Sequence, residues 1–262
     1  MGPQMVKEKN SSELIIMHDE NTWPLDVVEY LDKVGQVFLD WERNSRPGEN
    51  ITKKVQRYEE SHLGLKDVLI KYSVHGYHCT RLTEKEINII LKSGMKLPNL
   101  HTLTLRIGDL DRDSLLPSTI ADRLRSENQA DDKNRSHMLW FCLYPPRLGG
   151  QWGIQRFFRS WGGEALYNSH ENDKLTGPVL KTIGEPCIIE AKIPIKGLRG
   201  GFLYDKIARI YLKNRGFQTA ETTEHDDYSI LDIGADDVIR IIKHPEDDFI
   251  NLTECNKWNP PL

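Results

Sequence analysis

The residues of this chain best suited to chemistry are grouped in Tyr77-His78-Cys79-Thr80-Arg81. An imidazole, a hydroxyl and a guanidinium in one short stretch can hold a polar ligand through several hydrogen bonds. Ahead lies Val68-Leu69-Ile70-Lys71-Tyr72-Ser73-Val74, a β-branched and aromatic run that reads as a strand or as the end of a helix feeding one. Behind lies the amphipathic segment Glu84 to Gly94. Thr83 and Glu86 have capping-box spacing at its start, and Gly94 stops it. The context predicts a polar group at the tip of a strand just before a helix, a place where α/β and α+β enzymes hold ligands. The plainer alternative is a hydrogen-bonded structural histidine. His75 and His78 have no third ligand at a recognisable metal spacing, and His170 and His225 would join them only if the fold brought them close, so no metal is expected. Cys79 alternates to the strand face opposite His78, which gives no nucleophile pair.

A second constellation runs from Trp152 to Tyr167 and concentrates aromatics, arginines and glycines. Gly162-Gly163 lets the backbone bend or approach a ligand closely. Glu164 follows, with Trp161 and Tyr167 as flat neighbours. Aromatic faces beside one carboxylate suit a planar ring with developing positive charge, because the rings stack and the carboxylate supplies field and a hydrogen bond. The competing reading makes Ile154, Phe157, Phe158 and Trp161 a core stripe. A third region, Glu221 to Leu231, runs a carboxylate cluster that includes Glu224 and Asp227 into a strand. Its plain reading is a solvated acidic loop.

These groups need elements to position them. Leu25, Val28, Leu31, Val34, Phe38 and Trp41 recur at helical spacing after Pro24, and Arg46 to Asn50 breaks that helix. Residues 51–70 hold a second, more polar helix. Residues 100–107 read as a strand, and 109–133 as a surface helix or loop. Met138 to Tyr144 is an apolar run of buried-strand length stopped by Pro145-Pro146. Pro186 to Ile195 alternates as a half-buried strand. A helix from Leu203 to Asn214 closes at Gly216, and Asp227 to Ile233 and Val238 to Lys243 read as strands.

Composition bounds the rest. The chain has 262 residues, 38% hydrophobic and 28% charged, with a formal net charge of −4. That fits a soluble globular protein and argues against a bulk electrostatic binder of nucleic acid or membrane. Four dispersed cysteines without a CxxC pair, no visible signal peptide and no membrane-length apolar run predict a reduced, cytoplasmic protein. Met1 to Gln4 reads as an added leader, with Met5 the natural start. The predicted organisation is a tag or disordered start over 1–10, a helical extension over 11–70 packed on the core, and a catalytic domain over 71–262. No Walker loop, G-x-G-x-x-G or G-x-S-x-G occurs.

The order of these pieces resembles the ADP-ribosyltransferase superfamily, in the histidine-bearing branch of diphtheria-type toxins, poly(ADP-ribose) polymerases and DarT-like toxins. His78-Cys79-Thr80, the following helix and Gly94-Met95-Lys96-Leu97-Pro98 match that branch's first motif. Trp140 to Tyr144 with the helix from Gly153 to Trp161, and the strand pair at Asp227 to Ile230 and Val238 to Ile242, match the later ones. The branch's glutamate stands as an aspartate at that register, so Glu164, Glu224 and Asp227 all remain candidates for its catalytic carboxylate. The resemblance implies an α+β fold with a split mixed β-sheet, NAD as co-substrate and no metal. It implies that His78 and Thr80 hold ribose and nicotinamide amide. Tyr77, Trp161 and Tyr167 would line the cofactor site, and Arg81, or Arg156 and Arg159, would clamp the pyrophosphate. It further implies transfer of ADP-ribose to a nucleic-acid or protein acceptor, and a bacterial toxin or phage-defence role with a possible antitoxin or inhibitor as partner. The alternatives are an NAD glycohydrolase, an RNA 2′-phosphotransferase, and a non-catalytic interaction protein.

Overall fold

Local signals set most of the elements in the computed structural model, which describes residues 14–43 and 51–262. In chain order they are β1 (Leu14–Ile15), α1 (Leu25–Glu42), α2 (Ile51–Leu69), β2 (Ser73–Leu82), α3 (Glu84–Ser93), α4 (Leu100–Arg112), α5 (Ser118–Ser126) and β3 (Leu139–Cys142). There follow α6 (Gly150–Arg159), α7 (Glu164–His170), α8 (Thr176–Leu180), β4 (Glu185–Pro194), α9 (Leu203–Asn214), β5 (Asp226–Ser229), β6 (Val238–Lys243) and α10 (Asp247–Thr253). The class is mixed α+β with an open antiparallel sheet. The expected chain start over 1–10 and the helix break at Arg46 to Asn50 lie outside the described residues. Among the described residues no helix is long and apolar enough to cross a membrane.

The described residues divide into two compact units, the first made of those within Met1–His75, Pro194–Lys196 and Gly201–His225, the second of Gly76–Ile193, Gly197–Gly200 and Asp226–Leu262. In the first unit α1 packs on α2 and α9. The α1 stripe turns slightly from the predicted one: Val27, Leu31, Phe38 and Leu39 are buried, and Leu25 is exposed. Tyr211 of α9 lies against Gly35, where an added Cβ would meet its ring at 2.8 Å. Its hydroxyl donates to Asp32 at 2.6 Å. Arg209 donates to Glu42 at 2.7 Å, both side chains largely enclosed. β1 pairs in parallel with the first residues of β2.

In the second unit the strand order is β5-β3-β2-β4-β6. Tyr77 stands opposite Cys142, and Cys142 opposite Asp226, while Phe141 is opposite Asp227. Period-two alternation then puts Tyr77 and Cys79 on one sheet face and His78 and Thr80 on the other. The Tyr77 face packs against Ile154 and Phe158 of α6, Phe249 of α10 and Trp258. A separate cluster gathers Leu103, Ile107 and Leu110 of α4 with Ala121, Leu124, Trp161, Leu166 and Leu180.

Three local expectations change. Residues 100–107 are helical: Asn99 and Thr102 form a reciprocal capping box, and Leu103, Ile107 and Leu110 bury at helical spacing. β4 is buried on both faces over most of its length rather than half-buried. In β3, Trp140 is 40% exposed, so that strand is covered on one face only. Gly94 closes α3 with φ +75°, and the Ile233 carbonyl occupies the place of any Cβ. Met95 and Ile233 form an isolated bridge there.

Candidate functional site

His78 sits in the middle of β2, not at its tip, because the strand continues to Leu82. The ring is half-buried. Its Nδ1 lies 2.8 Å from the Trp140 carbonyl oxygen. A carbonyl can only accept, so the proton is on Nδ1 and Nε2 is left with its lone pair. Among the described residues Nε2 has no hydrogen-bond partner. Phe141 meets the ring edge-on at 5.8 Å. Desolvation pushes the imidazole pKa below its ordinary value; the Trp140 carbonyl opposes this, and Arg106 adds to the lowering. The result is a neutral acceptor near pH 7. Thr80, two residues on, shares the strand face.

Arg106 reaches this neighbourhood from α4 and is itself anchored. Its Nε donates to Glu86 at 2.6 Å, and its guanidinium stacks over the Trp161 indole at 4.6 Å. Glu86 also accepts from the Thr83 backbone N–H at 2.8 Å and from Trp161 Nε1 at 3.1 Å. Burial alone would raise the Glu86 carboxyl, but Arg106, Thr83 and Trp161 together hold it below its usual value. One residue thus caps α3 and fixes both Arg106 and Trp161.

Glu164 opens α7 after two glycines in left-handed backbone, Gly162 (φ +92°) and Gly163 (φ +56°). Side chains rarely adopt this conformation, so the pair turns the chain sharply enough to start a helix on a carboxylate. The side chain of Glu164 is 36% exposed and lies 3.6 Å from Arg135. It accepts from the Tyr167 hydroxyl at 3.0 Å. Burial first, and then the Glu164 charge, push the Tyr167 phenol up to about 12, so it remains a donor.

The other expected site residues are placed differently. Trp161 is fully buried in the α4–α5 cluster, with no ring face open to a ligand. Tyr77 is buried among α6 and α10 residues, and burial pushes its phenol up to about 12. Tyr167 is 6% exposed, its ring covered by Arg156 at 3.7 Å and Phe157 at 6.0 Å. Arg81 spends its guanidinium on the carbonyls of Ile183, Phe158 and Gly184 at 2.7, 3.0 and 2.8 Å. Arg156 is held by Glu171 and Asn168, and Arg159 by Gln155 and the carbonyls of Pro260 and Pro261. A pyrophosphate would have to displace these partners. Asp227 is 1% exposed, and its Oδ1 accepts from the Tyr228 backbone N–H at 2.7 Å and from Gly200 N–H. That geometry staples the 197–200 segment to β5. Glu224 is half-buried in the first unit, while Asp227 belongs to the second.

His75 and His78, three apart on one strand, point to opposite faces. His170 is fully buried, with Thr176 and the Glu127 carbonyl on its two nitrogens at 3.0 and 2.6 Å. Among the described residues no group of three His, Cys, Asp or Glu is placed to hold a metal ion. Hydrogen bonding with Cys79 comes first, and burial second, in raising the Cys142 thiol well above the ordinary range, which suits neither metal nor nucleophile chemistry. Arg106 and Arg135 carry no signal in the sequence: nothing in their local spacing ties them to His78 or Glu164, 28 and 29 positions away. The chain matches no protein-family model, no curated protein and no solved structure.

Proposed function

We propose that this chain is an NAD-dependent ADP-ribosyltransferase, with His78 and Glu164 as its central residues. The observation that carries the reading is the state of His78. Its Nδ1–H is committed to the Trp140 carbonyl, and its neutral Nε2 keeps a lone pair that no described residue uses. That is the arrangement a ribose hydroxyl needs: the hydroxyl donates to Nε2, and Thr80 on the same face offers a further polar contact.

In the proposed reaction the C1′–N bond to nicotinamide breaks and its electron pair goes to the pyridinium nitrogen, which becomes neutral. The ribose passes through an oxocarbenium-like state, and an acceptor nucleophile on nucleic acid or protein bonds to C1′ and releases a proton. A carboxylate near C1′ stabilises the cation and accepts from the 2′-hydroxyl. Among the three candidates Asp227 is committed to two backbone N–H groups, and of the partly exposed Glu164 and Glu224 we take Glu164, which stands between Tyr167 and Arg135.

The test is incubation with NAD carrying a label in its adenosine half, following nicotinamide release and transfer of label to nucleic acid or lysate protein. His78→Ala should lower release at least tenfold, about 1.4 kcal/mol, in a folded protein. Equal rates in wild type and folded His78→Ala would remove the reading. Release without transfer would make the enzyme a glycohydrolase.

A further inference from the structure

Glu164 is held from two sides by residues that the proposed reaction does not itself require. Tyr167 donates to Oε1 at 3.0 Å. Arg135 Nε lies 3.6 Å from Oε2, and its Nη1 lies 3.4 Å from Asp132. The Arg135 backbone is fixed by its N–H to the Asp132 carbonyl at 2.9 Å. The Nε atom is enclosed by protein and makes no hydrogen bond. A buried guanidinium N–H without an acceptor is costly and uncommon, so its position beside a carboxylate oxygen calls for an explanation. Tyr167 is in turn clamped by Arg156, whose guanidinium covers the ring at 3.7 Å while gripping Glu171 at 2.8 and 2.6 Å.

We infer that Arg135 is a positioning residue for Glu164, its guanidinium charge, 3.6 Å from Oε2, forming with the Tyr167 hydroxyl on Oε1 a two-sided hold on the carboxylate. The inference rests on Glu164 being the carboxylate of the proposed transferase. A hydrogen bond on Oε1 and a cation beside Oε2 restrain the rotation of the carboxylate plane. Each oxygen keeps a lone pair, so Glu164 can still accept from a ribose hydroxyl and face the cation. Tyr167 alone would leave the group free to swing about its single hydrogen bond. Geometry of this kind acts on the transition state more than on NAD binding, because it sets where the negative charge stands when the cation forms.

The experiment is a double-mutant cycle on nicotinamide release with wild type, Glu164→Gln, Arg135→Gln and the double variant. Arg135→Lys is carried alongside in case Arg135→Gln does not fold. Arg135→Gln should lower kcat at least tenfold with KM for NAD within twofold, and should change the Glu164→Gln rate less than twofold, since there is then no charge left to position. A purely structural role would lower both backgrounds alike. Equal losses in both backgrounds, or no loss in the wild-type background, overturn the inference while leaving the transferase reading intact. Absence of nicotinamide release by wild type, or a wild-type rate in Glu164→Gln, removes the underlying reading and this inference with it.

Discussion

Replacing Glu86 by alanine removes an acceptor shared by three elements, and its cost can be worked from the contacts. The side chain is 14% exposed. It accepts from Arg106 Nε at 2.6 Å, Trp161 Nε1 at 3.1 Å and Thr83 N–H at 2.8 Å. The indole N–H belongs to a fully buried tryptophan, and orphaning it costs about 1–3 kcal/mol. The returning arm of the capping box contributes about 0.5–1 kcal/mol. Arg106 is 35% exposed and can partly resolvate, so its share is about 1 kcal/mol. The total of about 2.5–5 kcal/mol overlaps the usual penalty of about 3–5 kcal/mol for removing one partner of an enclosed ion pair. Urea unfolding followed by circular dichroism reads it as a lower midpoint at unchanged slope. Glu84→Ala is the control: that side chain is 65% exposed and pairs with Lys243 at 2.7 Å, so its loss should stay under about 1 kcal/mol. The pH dependence has a fixed sign. The folded Glu86 carboxyl lies below its ordinary value of 4.5, so its contribution is complete above that value and is lost as pH falls through the folded pKa. The gap between wild type and Glu86→Ala should therefore be full at neutral pH and close in acid. A Glu86→Ala protein within about 1 kcal/mol of wild type at pH 7, or a gap that stays constant into acid, would refute the reasoning.

Two further outcomes follow from the same geometry. His78 has a folded pKa below its ordinary 6.5, so the unfolded chain binds more protons just below that value, and the contribution of the neutral ring is lost as pH falls from 6.5 through the folded pKa. An NMR titration should find its inflection below 6.5, and one above that value would contradict the desolvated, carbonyl-bound ring. At the turn before α7, Gly162 has φ +92° with Leu166 crowding the Cβ position, while Gly163 has φ +56° and open space. Gly163→Ala should cost about 1–3 kcal/mol for backbone strain alone, Gly162→Ala distinctly more, and equal midpoints for the two in urea would count against the crowding.

Much of the chain was legible wherever the determining interactions are local. The Thr83–Glu86 box, the Gly94 stop, the Leu203–Asn214 helix and the Val238–Lys243 strand appear where short-range spacing put them. Residues 100–107 show where that legibility ends. Leu103, Leu105 and Ile107 alternate as in a strand, but the Asn99–Thr102 cap starts a helix, and its packing buries Leu103 and Ile107 while leaving Leu105 57% exposed. Alternation over so few residues fits either period until a partner surface selects one.

The polar residues divide in the same way. That His78 and Thr80 share a strand face, and that Gly162-Gly163 bends the chain just ahead of Glu164, followed from period-two alternation and from glycine's freedom in left-handed backbone; that Glu164 opens a helix rather than tipping a loop was decided by the fold. What each charged or aromatic side chain does was decided by distant parts of the chain. Arg81 looked like a ligand clamp until the 183–184 carbonyls closed on it. Trp161 looked like a stacking surface until the α4–α5 cluster enclosed it. Asp227 is engaged by Gly200 and His78 by the Trp140 carbonyl, and the Arg135 charge stands 3.6 Å from Glu164. Sequence specifies propensity and alternation because these depend on near neighbours. Whether a donor or carboxylate is used up by the protein or left for a ligand depends on groups tens of residues away, and only the tertiary fold brings those within hydrogen-bonding range.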